Sequence, residues 1–270
     1  MAGTAPSKPD VEPAPESEPS PDAVDHTGQG LVGAARNRMV NELVFLQGVT
    51  ATKQTLREWS RRPWQVMRVW LFWSVVIALL LLTAVLVVAH FSTPDPTGVI
   101  VPGFNSKVDG QDIGMILFRN SLVLALHAFA CIAGFIAGNS LPISAAKRSG
   151  FSRMVHEKAG PLSIGFVACA TTFSLATQAY FLGNILTTLA AQVGLSDFHL
   201  LLLLIPHALP ELTALFLPLA AWLIASRRDD WDQLLAATLV TVAVAVPVLI
   251  VSAILEVTLF PDLLRHATGS

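Results

Sequence analysis

Residues Leu200 to Trp222 read LLLLLIPHALPELTALFLPLAAW. At about 1.5 Å rise per residue, some 20 apolar residues cross the roughly 30 Å hydrocarbon core of a bilayer. This run is long enough, so it reads as a transmembrane helix. It also carries Pro206, Pro210 and Pro218, and two ionisable residues, His207 and Glu211. Each proline removes a backbone donor and tends to kink the helix. His207 and Glu211 are four residues apart, which puts both on one helix face with roughly 5–6 Å between β-carbons. Ionisable side chains inside a membrane are costly and are tolerated mainly where they face a bundle interior or a wet cavity.

Composition agrees with a membrane chain. Of the 270 residues, 53% are hydrophobic and 13% charged, where a soluble domain carries about 25%. Working outward from 200–225, four further runs have membrane length: about 69–90, 117–141, 162–191 and 234–260. The fold class is therefore all-α, a polytopic bundle of about five spans occupying residues 69–261. The third span is unusually polar, with Thr171, Thr172, Ser174, Thr177, Gln178 and Asn184. Gly183 predicts a bend or break near its far end, and residues 142–160 before it read as a basic loop. In the second span, Gly134 and Gly138 form a GxxxG that predicts close helix packing, within the chain rather than between copies. The fifth span holds Pro247 and a second acid, Glu256, and Pro261 is expected to end it.

Ahead of the spans lie two segments of different character. Residues 1–28 hold six prolines and six acidic residues and almost no large apolar ones; this predicts a disordered acidic tail. The segment lacks the basic start and apolar centre of a signal peptide. In residues 31–63, Val32, Ala35, Met39, Leu43 and Leu46 recur at helical spacing, which predicts an amphipathic juxtamembrane segment. Cys131 and Cys169 form no paired motif and read as small packing residues.

Of the 17 basic residues only Lys107, Arg119 and Arg265 fall on one side of the five-span arrangement. The positive-inside rule then places the N-terminus in the cytoplasm and the C-terminus outside. The six tryptophans fall near the same predicted cytoplasmic interface. With the spans so oriented, Arg119, Asn120, Asn184, His207, Glu211 and Glu256 reach a common depth in the outer half of the membrane. They form the candidate intramembrane polar cluster.

Three stretches together resemble the stage II sporulation protein M family of bacterial membrane proteins. They are Pro206-His207 with Glu211, Arg119-Asn120 with the run NSLVLALHAFACIAGFIAG, and the ending SAILEVTLFP at 252–261. The resemblance covers about residues 115–262. Ala208, Ser121 and the order Gly183-Asn184 stand where the family usually has Gly, Asn and Asn-Gly. The resemblance implies a multi-pass protein of the bacterial inner membrane. The founding member is a scaffold that holds peptidoglycan-degrading enzymes at the membrane.

The residues themselves leave three functions open. The cluster could be an internal polar network in a non-enzymatic protein that organises a membrane or cell-envelope complex. Arg119 would then pair with Glu211 or Glu256, and the partners would be the bilayer plus envelope enzymes or a transporter ATPase. It could instead line a path in a permease-like subunit or small channel. It could, third, be an intramembrane metal hydrolase, for which His207 and Glu211 supply two ligands and Glu256 or His127 a third. The first is the expected reading: no enzyme, no cofactor and no bound metal. No basic patch interleaved with aromatics points to nucleic acid.

Overall fold

Proline at 63 starts the bundle. It stands at the first helical position, where a missing N–H costs nothing and a fixed φ helps. A computed structural model describes residues 50–140 and 150–269. The tail at 1–28 and most of the expected juxtamembrane segment lie outside the described residues. From that segment residues 50–61 are helical (α1). The spans follow as α2 (Pro63–Phe91), α3 (Gly110–Phe135), α4 (Gly150–Val193), α5 (Asp197–Arg228) and α6 (Leu234–Thr268). A π-turn, Ile136–Ser140, prolongs α3, and one 3-10 turn, Trp231–Gln233, leads into α6. All five are long and apolar enough to cross a membrane. Among the described residues there is no strand, only an isolated bridge between Pro102 and Ser106.

Local chemistry explains the helix ends. α2 stops where Ser92 turns its N–H to the Ala89 carbonyl and its hydroxyl to Val88; Pro94 and Pro96 prevent continuation. The Asp112 carboxylate accepts the Asp109 N–H at 2.7 Å, which caps the start of α3. Gly194, at φ +73°, ends α4 and lets Leu195 N–H reach back to the Ala190 carbonyl at 2.9 Å. Ser196 then caps α5, so only three residues separate the two helices.

α5 is the central helix. It packs on α2, α3 and α6, whereas α4 lies to one side, chiefly against α2. Residues 214–222 of α5 are buried without interruption. Pro218 is among them, and two side chains of α3 bond the backbone beside it. A proline at 218 cannot bond the Ala214 carbonyl, and its ring opens that turn. His127 of α3 places Nδ1 3.0 Å from the neighbouring Leu215 carbonyl. A carbonyl can only accept, so Nδ1 carries the proton. One turn on, the Cys131 thiol donates to the Pro218 carbonyl at 3.1 Å. Thus an i, i+4 pair on α3 bonds the backbone of α5 at Leu215 and Pro218, two main-chain acceptors beside a proline within a span.

The two ends of the bundle differ. The loop 92–109 covers one end, beside the C-terminal ends of α4 and α6. The six tryptophans lie toward the other. There Trp59 meets Trp70 edge-on, with centroids 5.1 Å apart, and Arg227 lies over the Trp73 ring at 5.7 Å. Trp70 packs with Leu217, Ala221 and Ala237. Gly134 and Gly138 face this end too, and both serve packing within the chain. A β-carbon at Gly134 would lie 2.9 Å from Leu234 and Trp222, and one at Gly138 would collide with the Trp231 ring.

Four boundaries differ from the sequence expectation. α3 begins at Gly110, a turn and more before 117, because its first residues are polar but capped. α4 begins at Gly150, inside the stretch expected to be a loop. Gly183 neither bends nor breaks α4. It is a contact point, where a β-carbon would press within 2.6 Å of Val88 and 2.9 Å of the Val85 carbonyl. Pro261 does not end α6, which continues to Thr268. Pro261 leaves the Val257 carbonyl without its helical donor, and Gly103 of the loop, at φ +82°, packs against that carbonyl.

Candidate functional site

The i, i+4 spacing of His207 and Glu211 places them on the face of α5 that looks toward the loop end of α6. There they line a cavity of about 360 Å³. All five spans contribute to it. α6 supplies Glu256 and Phe260, α3 supplies Arg119, and α2 and α4 supply aliphatic walls. The loop supplies Val99, Ile100, Val101 and Pro102 as a roof. The lining is mostly Leu, Ile and Val, with the four ionisable residues gathered on α3, α5 and α6.

Each of the six cluster residues has a definite place. His207 is 5% exposed. Its ring lies against Phe260, centroids 5.5 Å apart, and it makes no hydrogen bond with the rest of the described chain. Glu211 and Glu256 are half-buried and close enough to interact electrostatically with each other, and Glu256 also with Arg119. Neither acid forms an ion pair with Arg119; among the described residues the ion pair is Arg265 with Asp262 at 2.5 Å. Asn120 lies beside Glu211, yet its amide nitrogen is buried without a well-formed hydrogen bond. Asn184 is outside the cavity. It donates to the Tyr180 carbonyl of its own helix at 2.7 Å, because at this position it lies away from α5. The expected pairing of Arg119 with an acid is thus replaced by proximity without contact.

The geometry also bears on metal binding. His127 is not in the cavity; its Nδ1 is committed to Leu215, and its ring meets Phe216 edge-on at 5.4 Å. Among the described residues no three His, Cys, Asp or Glu side chains converge as a metal would require. His207, Glu211 and Glu256 share a cavity but not a coordination sphere.

The roof is built, and sequence reading missed what builds it. Gln192 of α4 accepts the Val99 N–H at 2.7 Å and donates to the Val99 carbonyl at 3.2 Å. Thr188 accepts the Asp95 N–H at 3.0 Å. Asn105 closes the loop on itself through Val99 and Val101. From the other side the Arg265 guanidinium donates to the Gly103 carbonyl. Inside the loop, Thr97 donates both N–H and hydroxyl to the Asp95 carboxylate at 2.8 Å. These bonds hold the Asp95 carboxyl below its ordinary range. The available signal was a polar Gln and Thr in the last turns of an apolar span, opposite a loop rich in Pro, Gly, Asp and Asn.

The second feature that sequence reading missed is on α4. Leu162, Phe166, Cys169, Phe173, Ala176 and Tyr180 follow one another at steps of four and three residues, and all six are exposed. Phe166, Phe173 and Tyr180 recur every seven residues, with the smaller Cys169 and Ala176 between them. A seven-residue step returns to nearly the same side of a helix, so the three rings form one exposed stripe. Only 11% of the apolar window of α4 is buried, against 28% to 44% for the other spans.

No curated protein and no solved structure matches the chain. The family model described as Stage II sporulation protein M matches residues 160–261. That segment contains most of α4, all of α5 and α6 as far as Pro261, and so His207, Glu211 and Glu256. Arg119, Asn120 and the glycines of α3 lie outside it. With five apolar helices, the central one the most buried, the chain has the make-up of a multi-pass membrane protein, and its residues 160–261 are similar to the stage II sporulation protein M family.

Proposed function

We propose that the protein is a non-enzymatic organiser of a membrane complex, and that α4 is the helix it offers to a partner. The observation that carries this reading is the exposed seven-residue seam on α4. α4 is also the least apolar of the spans, yet the least covered. Lipid favours the reverse, because polar groups in a span are tolerated where protein covers them. Alternating large and small side chains at that period fit the side of a second helix. The partner is a membrane protein of the cell envelope, such as an envelope enzyme or a transporter subunit with its ATPase. Basic residues and tryptophans gather at the end opposite the loop, which supports a cytoplasmic N-terminus in the bacterial inner membrane.

A through-path for transport has less support. The cavity stops near Leu212, and beyond it the buried run 214–222 fills the bundle. A photo-reactive residue placed at Phe166, Phe173 or Tyr180 tests the organiser reading in cells. Discrete adducts to another protein are expected there, with only lipid adducts from Leu80 or Val87 on the exposed face of α2. Lipid adducts alone at all five positions, or adducts only to a second copy of the chain, would refute it.

A further inference from the structure

We infer that the cavity at the loop end binds a small organic cation, a protonated amine carrying a compact apolar body. The inference is independent of the partner reading, since none of the seam residues lines the cavity. Four observations meet in it. The volume, about 360 Å³, lies within the roughly 300–1,000 Å³ of small-molecule sites. The walls are aliphatic, which suits an apolar body and excludes a bare hydrated ion. Glu211 and Glu256 both line the cavity with no ion pair to either, and Arg119 is the one basic side chain among its described lining residues. Two acids in an apolar pocket repel each other when both are charged, and one guanidinium can balance only one of them. An ammonium between them relieves that repulsion with charge-assisted hydrogen bonds. Finally, His207 is nine-tenths buried, lines the cavity and has no hydrogen-bond partner in the described chain. A ligand in the cavity would supply the partner that this ring lacks.

The roof sets the size limit. It is fixed to α4 through Gln192 and Thr188 and to α6 through Arg265, so hydrogen bonds to main chain hold the loop in place over the cavity. A long chain is excluded on that side, and a compact cage or ring is favoured.

The test uses the full chain in phosphatidylcholine nanodiscs, with adamantylammonium as probe and adamantanol as its uncharged counterpart. Calorimetry is expected to show saturable binding of one ammonium per chain, at least about tenfold tighter than the alcohol. Glu211→Gln and Glu256→Gln should each weaken the ammonium by about tenfold and leave the alcohol unchanged. Ala208→Leu, which narrows the cavity without touching a charge, should weaken both probes. It serves as the check if a glutamine variant fails to fold. Equal binding of ammonium and alcohol, no saturable binding, or undiminished ammonium binding in folded Glu211→Gln and Glu256→Gln would overturn the inference. Repeating the titration in phosphatidylethanolamine nanodiscs separates two sources of the amine. Competition there assigns it to a lipid headgroup, and its absence to a soluble amine; either supports the site.

Discussion

α4 and α5 are neighbours in sequence, joined by three residues, and they treat polarity in opposite ways. α5 turns His207 and Glu211 toward the centre of the bundle and encloses them with four other helices and a loop. α4 keeps its strongest polar contacts, Gln192 and Thr188, for the loop at its end, and along its length shows an aromatic seam to the outside. α5 has three prolines and is the most buried span; α4 has none between Ile164 and Val193 and is the least buried. In α5, His127 and Cys131 of α3 reach the backbone around Pro218. A helix with no such neighbours on its outer face has to stay regular. On the proposed reading, the bundle carries its binding chemistry on one helix and its docking surface on the next.

The sharpest way to break that comparison uses one substitution at two places. Phe216 of α5 is fully buried against His127, and Phe173 of α4 is 75% exposed. Phe216→Ala removes a core ring and leaves a void, so it should cost about 3–5 kcal/mol. Phe173→Ala should change the stability of the purified chain by less than about 0.5 kcal/mol while sharply reducing capture of the partner. Denaturant unfolding in detergent measures the first effect and affinity purification from membranes the second. Similar losses of stability at the two sites would mean that α4 is held by the bundle after all.

A smaller effect is expected at the roof. Gln192→Ala removes two hydrogen bonds to Val99 and should cost about 1–2 kcal/mol, felt locally. Amide hydrogen exchange should quicken over residues 95–102 and stay unchanged in α5. Exchange that quickens through α5 as well would mean that the roof and the central helix open together, and that the loop is part of the core rather than a cover on it.

Much of this architecture was legible in the sequence, and the misses have physical reasons. Length and hydropathy suffice for five spans, because a bilayer imposes one thickness on every helix. The i, i+4 spacing of His207 and Glu211 put both on one face of their helix, because helical geometry is local. Glu256 was placed one turn from the end of its helix, on the assumption that Pro261 stops it. The structure carries the helix on to Thr268, with Gly103 of the loop lying close to the freed Val257 carbonyl. Asn184 was grouped with the cluster by depth alone, and depth says nothing of which way a side chain faces. His127 was weighed as a metal ligand, whereas a kink in another helix fixed its role. Gln192, Thr188 and Arg265 were passed over because their partners are main-chain groups of a loop some 90 to 160 residues away in sequence, and no local pattern encodes such a pairing.

The smallest expected effect lies in the roof itself and depends on pH. Asp95 is fully exposed, and its carboxylate holds the turn through two bonds from Thr97. Those bonds favour the charged form, so the carboxyl titrates lower in the folded loop than in an unfolded chain. Linkage then fixes the sign: the contribution is fully present above the ordinary carboxylate range and is lost as the pH falls through it to the lowered folded value. Exchange at the Thr97 amide, corrected for the intrinsic effect of acid, should therefore lose protection over that fall, while the amides of α5 hold theirs. Asp95→Asn keeps an acceptor oxygen but no charge, and should give a turn of lower protection that no longer responds to pH. If the wild-type turn shows no pH response while Gln192→Ala still loosens it, the roof is held from α4 alone. The comparison then narrows to one helix: α4 would carry the cover of the cavity at its end and the seam along its side, and α5 only the cavity wall.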